Sequence, residues 1–262
     1  MPLFIGGVGL MGPGLSGWPG SLPVLQGRIP YQPQPVATPT PALLAAGERR
    51  RATAAAKLVL QVGEEALSDN DIDVDHLLCV FASASGELSI VDNLCRTLCS
   101  DDRALSPTQF HNSVHNASAG YWSIATGSGG ASVSLSAFDD TFAAGLLEAA
   151  VTARTERVPV LFVACDLPAP EPLRAKRPLV DPFAVALLLL PQNSADKYPS
   201  LSVQTETVRS SESTLADAAL ERLRRSNPAA RCLPLIQAIA TGSAAPVRIG
   251  AASMPIRASV AR

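Results

Sequence analysis

The chain has 262 residues, of which 47% are apolar and 17% charged, a composition that forms a hydrophobic core and excludes a disordered protein. Its formal net charge of −2 gives no electrostatic reason to expect nucleic acid or an anionic membrane as a partner. The longest later apolar run, Phe183 to Leu190, is too short to cross a bilayer, and no basic residue precedes Arg28, as a signal peptide would require. The sequence predicts a soluble protein with one domain over residues 1–262, of which 192–262 is weakly assigned.

The five cysteines are an odd number without the paired spacing of a zinc site. Cys79 and Cys165 lie inside apolar runs, where a thiol behaves as a small hydrophobic group. This usage predicts a reducing compartment, the cytoplasm, and we expect neither a metal nor a cofactor.

The first half of the chain predicts strands alternating with helices. Short continuous apolar runs are typical of strands covered on both faces, and apolar spacings of three and four indicate helices. In chain order the elements are a strand over Pro2–Leu10, an irregular Pro- and Gly-rich segment over Gly12–Pro41, a helix over Ala45–Leu67 with Arg49–Arg51 at its start, a strand over His76–Ala84, a helix over Ile90–Cys99 and a helical region over Ser106–Ala125.

The second half continues the alternation, so that the whole order predicts an α/β layered sheet. Its elements are a strand over Ser132–Ala137, a helix over Asp140–Thr155 capped by Asp139 and Asp140, a strand over Val158–Cys165, a proline-rich loop over Asp166–Pro182, a strand over Phe183–Leu190, a strand over Leu201–Val208, a helix over Leu215–Arg225, a helix over Leu233–Ala240 closed by Gly242, and a hairpin over Val247–Val260.

Gly7-Val-Gly9-Leu-Met-Gly12 has the spacing of a dinucleotide-binding fingerprint. That fingerprint needs a helix that opens at its last glycine and faces the pyrophosphate. The prolines and glycines that follow Gly12 argue against a helix there, and no acidic residue occurs before Glu48 to hold a ribose. We therefore interpret the glycines as structural.

His111 and His115 have the spacing of a zinc-binding pair on one helix face. The residues between them are Asn-Ser-Val, so no glutamate is present as a base, and no third ligand is evident. We interpret both histidines as structural or pocket-lining.

The segment 132–150, SVSLSAFDDTFAAGLLEAA, combines a strand ending in small residues, a sharp turn and a helix. Such a nucleophile elbow presents one side chain at a helix N-terminus, where the helix dipole would stabilise a thiolate. The presented residue is Phe138, which has no nucleophilic atom. The sequence thus predicts an elbow without a catalytic residue.

This strand, elbow and helix resemble those of the thiolase-type β-ketoacyl synthases. In that family an acyl-accepting cysteine follows a Thr-Ala or Ser-Ala pair, and here Phe138 follows Ser136-Ala137. The segment 106–130 is similar to the family's dimer-interface and pocket segment, with Asn112 and Asn116 at its asparagine positions. Residues 110–128 together with 165–191 resemble the short chain length factors of aryl polyene and xanthomonadin-type pigment clusters. The resemblance covers most of residues 1–191.

The resemblance implies a thiolase-like layered α/β fold, truncated relative to a full ketosynthase. It implies a catalytically silent subunit that forms a heterodimer with an active β-ketoacyl synthase and meets acyl carrier protein through that complex. The family's carbonyl-polarising histidines belong to the second half of the fold, and this chain has no histidine after His115.

The resemblance also implies that the strand Val133–Ala137 pairs antiparallel with its counterpart across the dimer. Bulky side chains of Phe110, Tyr121 and Trp122 are expected to stop a growing acyl chain, and the ring of Phe138 to fill the vacant acyl pocket. The residues expected at the interface or lining the pocket are Phe110, Asn112, His115, Asn116, Tyr121, Trp122, Val133, Leu135 and Phe138.

Two alternatives remain open at this stage. One is a small acyltransferase or esterase that uses Ser136 or Cys165, although Ser136 has no identifiable base and Asp166 would raise the pKa of the Cys165 thiol. The other is a homodimeric scaffold without a ketosynthase partner.

Overall fold

The computed structural model describes residues 2–193, 197–206, 211–250 and 255–261. The strands are β1 (Leu3–Gly12), β2 (Leu15–Ser16), β3 (Leu78–Ala82), β4 (Ser132–Leu135), β5 (Val160–Asp166), β6 (Phe183–Leu190), β7 (Ser200–Thr205), β8 (Val247–Ile249) and β9 (Ile256–Ala261). The helices are α1 (Trp18–Leu25), α2 (Ala46–Arg51), α3 (Ala54–Leu67), α4 (Leu88–Leu98), α5 (Pro107–Asn112), α6 (Ala117–Thr126), α7 (Thr141–Glu156), α8 (Ala218–Ser226) and α9 (Leu233–Thr241).

The strands of the described chain form one mixed sheet in the order β4-β3-β5-β6-β1-β7-β9-β8, with β2 paired to the end of β1. β3 runs parallel to both β4 and β5, whereas every other neighbouring pair is antiparallel. Because parallel strands end at the same edge of a sheet, the residues that follow β3, β4 and β5 meet there. This topology places β4 at one end of the sheet, with only β3 beside it.

The two central strands are buried along their whole lengths, as their continuous apolar runs predict. One core cluster lies between the sheet and α7, where the rings of Phe142 and Phe162 are 5.2 Å apart. The other lies under α3 and α6. Helices therefore cover both faces of the sheet, and the predicted α/β layered architecture is confirmed.

The predicted helix over Ala45–Leu67 is two helices rather than one. Thr53 interrupts it, because its hydroxyl accepts a hydrogen bond from the amide of Ala56 at 3.0 Å and so caps a new helix, α3. Arg49–Arg51 consequently form the end of α2, not the start of a long helix. The buried face of α3 is nonetheless the predicted one: Ala55, Leu58, Val59, Val62 and Ala66.

The segment Gly12–Pro41 is less irregular than predicted, since α1 forms within it with Pro19 in its first turn, where proline is tolerated. This helix begins well after Gly12, so the glycines do not open it. The carboxylate of Glu65 accepts hydrogen bonds from the amides of Leu10 and Trp18, at 2.9 and 2.5 Å. The Glu65 side chain thus occupies the position between β1 and α1 where a dinucleotide phosphate would bind. This supports the interpretation of the glycines as structural.

Gly7 and Gly9 of β1 are required by the closeness of α3. A Cβ atom at Gly9 would lie 1.9 Å from the carbonyl oxygen of Val62, and one at Gly7 would lie 2.0 Å from that of Ala66. Both distances are far inside van der Waals contact. Only glycine lets this helix rest directly on the strand.

The weakly assigned region after residue 191 extends the same sheet. The predicted strand over Leu201–Val208 is observed as β7, and its last two residues lie outside the described part. The predicted final hairpin is the antiparallel pair β8–β9, whose connection also lies outside the described part. The helix predicted to close at Gly242 is α9, and Gly242 has the left-handed φ of 68° that such a cap needs.

No helix within the described residues combines the length and the apolar character needed to cross a membrane. All five cysteines are free thiols.

Candidate functional site

The elbow lies between the end of β4 and the start of α7, where Phe138–Asp140 form a single 3-10 turn. Phe138 has a φ of 53°, a left-handed conformation that is costly for a residue with a Cβ atom. The hydroxyl of Thr141 holds it, accepting from the amide of Ala137 at 3.0 Å and donating to the carbonyl of Phe138 at 2.6 Å. The strained geometry of a nucleophile elbow is therefore present although its residue has no nucleophilic atom.

The ring of Phe138 does not fill a pocket of this chain, contrary to expectation, because the side chain is 65% exposed. The guanidinium carbon of Arg177 lies 3.9 Å from the ring centroid, a cation–π contact on one face. The elbow thus presents an aromatic side chain outward, supported from one side by the loop after β5.

The prediction that Asp139 and Asp140 cap α7 is correct only for the position of Asp140. Asp140 occupies the cap position and is buried, but it makes no side-chain capping hydrogen bond. Asp139 instead accepts a hydrogen bond from Arg177 at 2.6 Å and lies 3.6 Å from Arg231. Arg231 in turn donates to Glu212 at 2.7 Å. A chain of ion pairs therefore ties the elbow to the C-terminal region of the fold.

Among the described residues, no strand pairs with β4 on the side away from β3, and we call this side its free edge. The amide of Cys79 donates to the carbonyl of Ala131, and the amide of Ser83 donates to that of Leu135. The odd-numbered residues of β4 therefore direct their backbone amides and carbonyls toward β3. In a parallel pair the even-numbered residues must then direct their amides and carbonyls outward. Ser132 and Ser134 accordingly present backbone donors and acceptors at the end of the sheet.

Two of the residues predicted to face an interface belong to that edge strand. Val133 is 43% exposed, and Leu135 is half-buried against the core. An apolar residue on an unpaired edge is unusual for a protein that works alone, because edges are normally protected from pairing.

The predicted helical region over 106–125 consists of α5 and α6, joined by a turn. The turn begins after Asn112, so His111 and His115 do not share a helix face. Both are exposed, as is Asn116, and Nε2 of His115 lies 2.9 Å from the carbonyl oxygen of Ser83. His115 also lines a cavity of about 20 Å³ beside β3.

Tyr121 and Trp122, which are expected to stop a growing acyl chain, do not reach the surface of this subunit. Both are buried in the core beneath α3, where the Trp122 ring packs so closely on Gly63 that a Cβ there would lie 2.4 Å from it. The Tyr121 hydroxyl donates to Asn112, which is itself buried and donates to the carbonyl of Arg51. Of the three bulky residues, Phe110 is the exposed one, at 64% exposure.

The exposed face of α4 is a second apolar surface, which the sequence analysis did not predict. α4 has no buried residue, although Val91, Cys95, Leu98 and Cys99 repeat at helical spacing along one face and all are exposed. The amphipathic period was visible in the sequence, but nothing in it told whether the chain itself would cover that face.

Cys165 and Ser136 are the two alternative nucleophiles. Cys165 is buried, and its burial raises the pKa of the thiol well above the usual value, with Asp166 and Glu87 raising it further. The hydroxyl of Ser136 donates to the carbonyl of Ala84 at 3.0 Å. Within the described ranges no group of three His, Cys, Asp or Glu side chains could hold a metal ion.

A layered α/β sheet whose edge strand runs through a strained elbow into a buried helix agrees with the thiolase-like fold expected from the sequence. The sequence profile of the β-ketoacyl synthase N-terminal domain matches residues 26–245, so the chain belongs to that family. The resemblance read from the elbow is thereby confirmed. A comparison with curated proteins found no match.

Solved structures show the same fold. A ketosynthase in complex with its chain length factor from Xenorhabdus doucetiae is 24% identical, with 99% of each chain covered and a TM-score of 0.72. A type II polyketide synthase acyl-carrier protein in complex with its hexaketide-bound ketosynthase is 12% identical, with 99% of each chain covered and a TM-score of 0.76. A β-ketoacyl synthase from Burkholderia phymatum is 13% identical, with 87% of this chain and 70% of that chain covered and a TM-score of 0.60.

Proposed function

We propose that this chain is a catalytically silent subunit of the chain-length-factor type, which pairs with an active β-ketoacyl synthase and shapes the tunnel that receives its acyl chain. The observation that carries the proposal is the intact, strained elbow with Phe138 in place of a nucleophile. Because the elbow keeps this costly conformation without a nucleophile, we infer that its role is structural and not catalytic.

The free edge of β4 supports the pairing. Its outward amides and carbonyls, together with half-exposed Val133, need a strand from another molecule to satisfy and cover them. We infer that the partner is the ketosynthase, because a chain without a nucleophile depends on one supplied by another subunit. One of the solved structures with the same fold is described as a ketosynthase in complex with its chain length factor.

The substrates of such a complex would be acyl chains and malonyl units on acyl carrier protein, in polyene or other type II polyketide synthesis. The five free thiols suit the reducing cytoplasm, where we place the complex. The chain itself would require no cofactor.

Phe138→Cys is expected to give no condensing activity, because the elbow would gain a thiol without the polarising histidines that family members bring from the second half of the fold. The measurement is condensation of acyl and malonyl carrier proteins by the purified variant alone. The wild-type chain alone is likewise expected to remain unlabelled by a cerulenin-type reagent. Labelling of the wild-type chain would contradict the proposal.

The exposed apolar side chains on α4 and α5 are expected to contact the acyl chain in the complex. Val91→Ala and Phe110→Ala should each change stability by no more than about 0.5 kcal/mol, since both side chains are exposed. In the heterodimer each should shift the product distribution toward longer chains, measured by mass spectrometry of the carrier-bound products. Val151→Ala, at an exposed position on α7, is the matched control and should leave the distribution unchanged.

A further inference from the structure

Arg177 contacts the elbow at two points. Its Nη1 atom donates a hydrogen bond to Oδ1 of Asp139 at 2.6 Å, and its guanidinium carbon lies 3.9 Å from the centroid of the Phe138 ring. The Arg177 side chain is 17% exposed, whereas Phe138 is 65% exposed. One face of the ring therefore rests on a half-buried cation, and most of the ring is open to solvent.

Both ends of the loop that carries Arg177 are fastened to the fold. The side-chain amide of Asn227, which is buried, donates to the carbonyl of Asp166 at 3.1 Å and to that of Asp181 at 2.9 Å. Within the loop, the amide of Leu179 donates to the carbonyl of Arg177 at 2.7 Å. The guanidinium thus reaches the elbow from a backbone that is itself held in place.

Asp139 is held from a second side. Arg231 lies 3.6 Å from Oδ2 of Asp139 and donates a hydrogen bond to Glu212 at 2.7 Å. The carboxylate of Glu212 also accepts from Arg224, a buried side chain, at 2.8 Å. Because hydrogen bonds between charged groups are short and directional, this chain of ion pairs gives Arg177 a counter-charge in a fixed position.

The position of the ring is not explained by the stability of the isolated chain. A salt bridge between partly exposed groups contributes little to stability, and a ring that stays in water gains nothing from burial. The backbone of Phe138 is nevertheless held at a φ of 53° by the hydroxyl of Thr141. Aromatic side chains that are rigid before binding, with an arginine beside them, are typical of the strongest contacts in protein interfaces.

We propose that Arg177 is a positioning residue: it holds the Phe138 ring in an outward orientation, in which the ring docks against the ketosynthase. The identity of this partner rests on the proposed function. β4 ends at Leu135, only three residues before Phe138, so a strand that pairs with the free edge of β4 brings its own subunit up to the ring. A ring held before binding has fewer orientations to lose, which lowers the entropy cost of association.

A double-mutant cycle on the affinity for the ketosynthase tests whether Arg177 acts through the ring. Phe138→Ala should weaken binding by about tenfold. Arg177→Gln should weaken binding roughly fivefold when the ring is present, and less than about twofold in the Phe138→Ala background. An effect of Arg177→Gln that is equal in both backgrounds would overturn the proposal, because it would show a role independent of the ring.

Two further variants complete the cycle. Lys176→Gln removes the same charge from the neighbouring, exposed position, and its effect on affinity should not depend on Phe138. Arg177→Lys keeps a charge for Asp139 but lacks the planar group that stacks on the ring. It replaces Arg177→Gln if melting temperatures show that the glutamine variant does not fold, and it should show the same dependence on Phe138.

The NMR signals of the Phe138 ring in the isolated chain separate this proposal from the proposed function. With ring-labelled phenylalanine, Arg177→Gln should shift these signals and Lys176→Gln should not, in the absence of any partner. Shifted signals without ketosynthase binding by the wild type would refute the proposed function while leaving the positioning of the ring intact. Tight ketosynthase binding with unshifted signals would refute the positioning role and leave the proposed function standing.

Discussion

Ser134→Pro is expected to weaken pairing with the ketosynthase strongly while leaving the fold of this chain intact. Ser134 directs its amide away from β3, toward the free edge of the sheet, so proline removes no hydrogen bond within the chain. In the complex, however, a carbonyl of the partner strand would lose the amide of residue 134 as its donor, and the proline ring would clash with that strand. Leaving a buried carbonyl unpaired costs about 1–3 kcal/mol, and we expect the affinity to fall roughly 100-fold.

The matched control is Ser134→Ala, which changes the same side chain and keeps the amide. Its affinity for the ketosynthase, measured by interferometry or calorimetry, should stay close to that of the wild type. The melting temperatures of both variants should show that the isolated chain still folds. If the proline variant binds as tightly as the alanine variant, β4 is not the interface. A wild-type chain that forms only homodimers would instead support the scaffold alternative.

Gly9→Ala is expected to lower the free energy of unfolding by roughly 3 kcal/mol or more. The added methyl group would lie 1.9 Å from the carbonyl oxygen of Val62, and neither backbone can move without separating α3 from β1. Because α3 covers one face of the sheet, the loss should appear across the whole protein. Urea unfolding followed by circular dichroism measures it.

Gly20→Ala is the control for this effect. Gly20 lies in α1, and a Cβ atom there would have nothing within 4 Å. The substitution should be neutral or stabilise the chain by up to about 1 kcal/mol, as expected for glycine replaced by alanine in a helix. Equal destabilisation by both variants would mean that the glycines of β1 are not placed there by the approach of α3.

Most elements and the buried faces could be predicted because their signals are local. The continuous apolar runs of β5 and β6 indicate strands covered on both sides, and the apolar spacing of α3 identifies its buried face. The divisions within helical regions were harder to predict. Thr53 caps a new helix through a single hydrogen bond. The residues on both sides of it have the same helix-favouring composition, so the division is not visible in the sequence pattern.

The candidate site could be predicted only in part. The elbow follows from a strand, small residues and a helix in sequence, and Phe138 at its tip is a local fact. The burial of Tyr121 and Trp122 could not be predicted, because an aromatic residue on a helix can pack in the core as well as at an interface. The partner of Asp139 was equally hidden, since Arg177 comes from a distant, irregular loop.

The sequence by itself determined the layered α/β class, the absence of a nucleophile at Phe138 and the lack of any histidine after His115. The tertiary structure decided which surfaces stay open: the edge of β4, the face of α4 and the ring of Phe138. The physical reason is that side-chain type and periodicity act within a few residues, whereas exposure depends on which segments distant in sequence come to lie against one another.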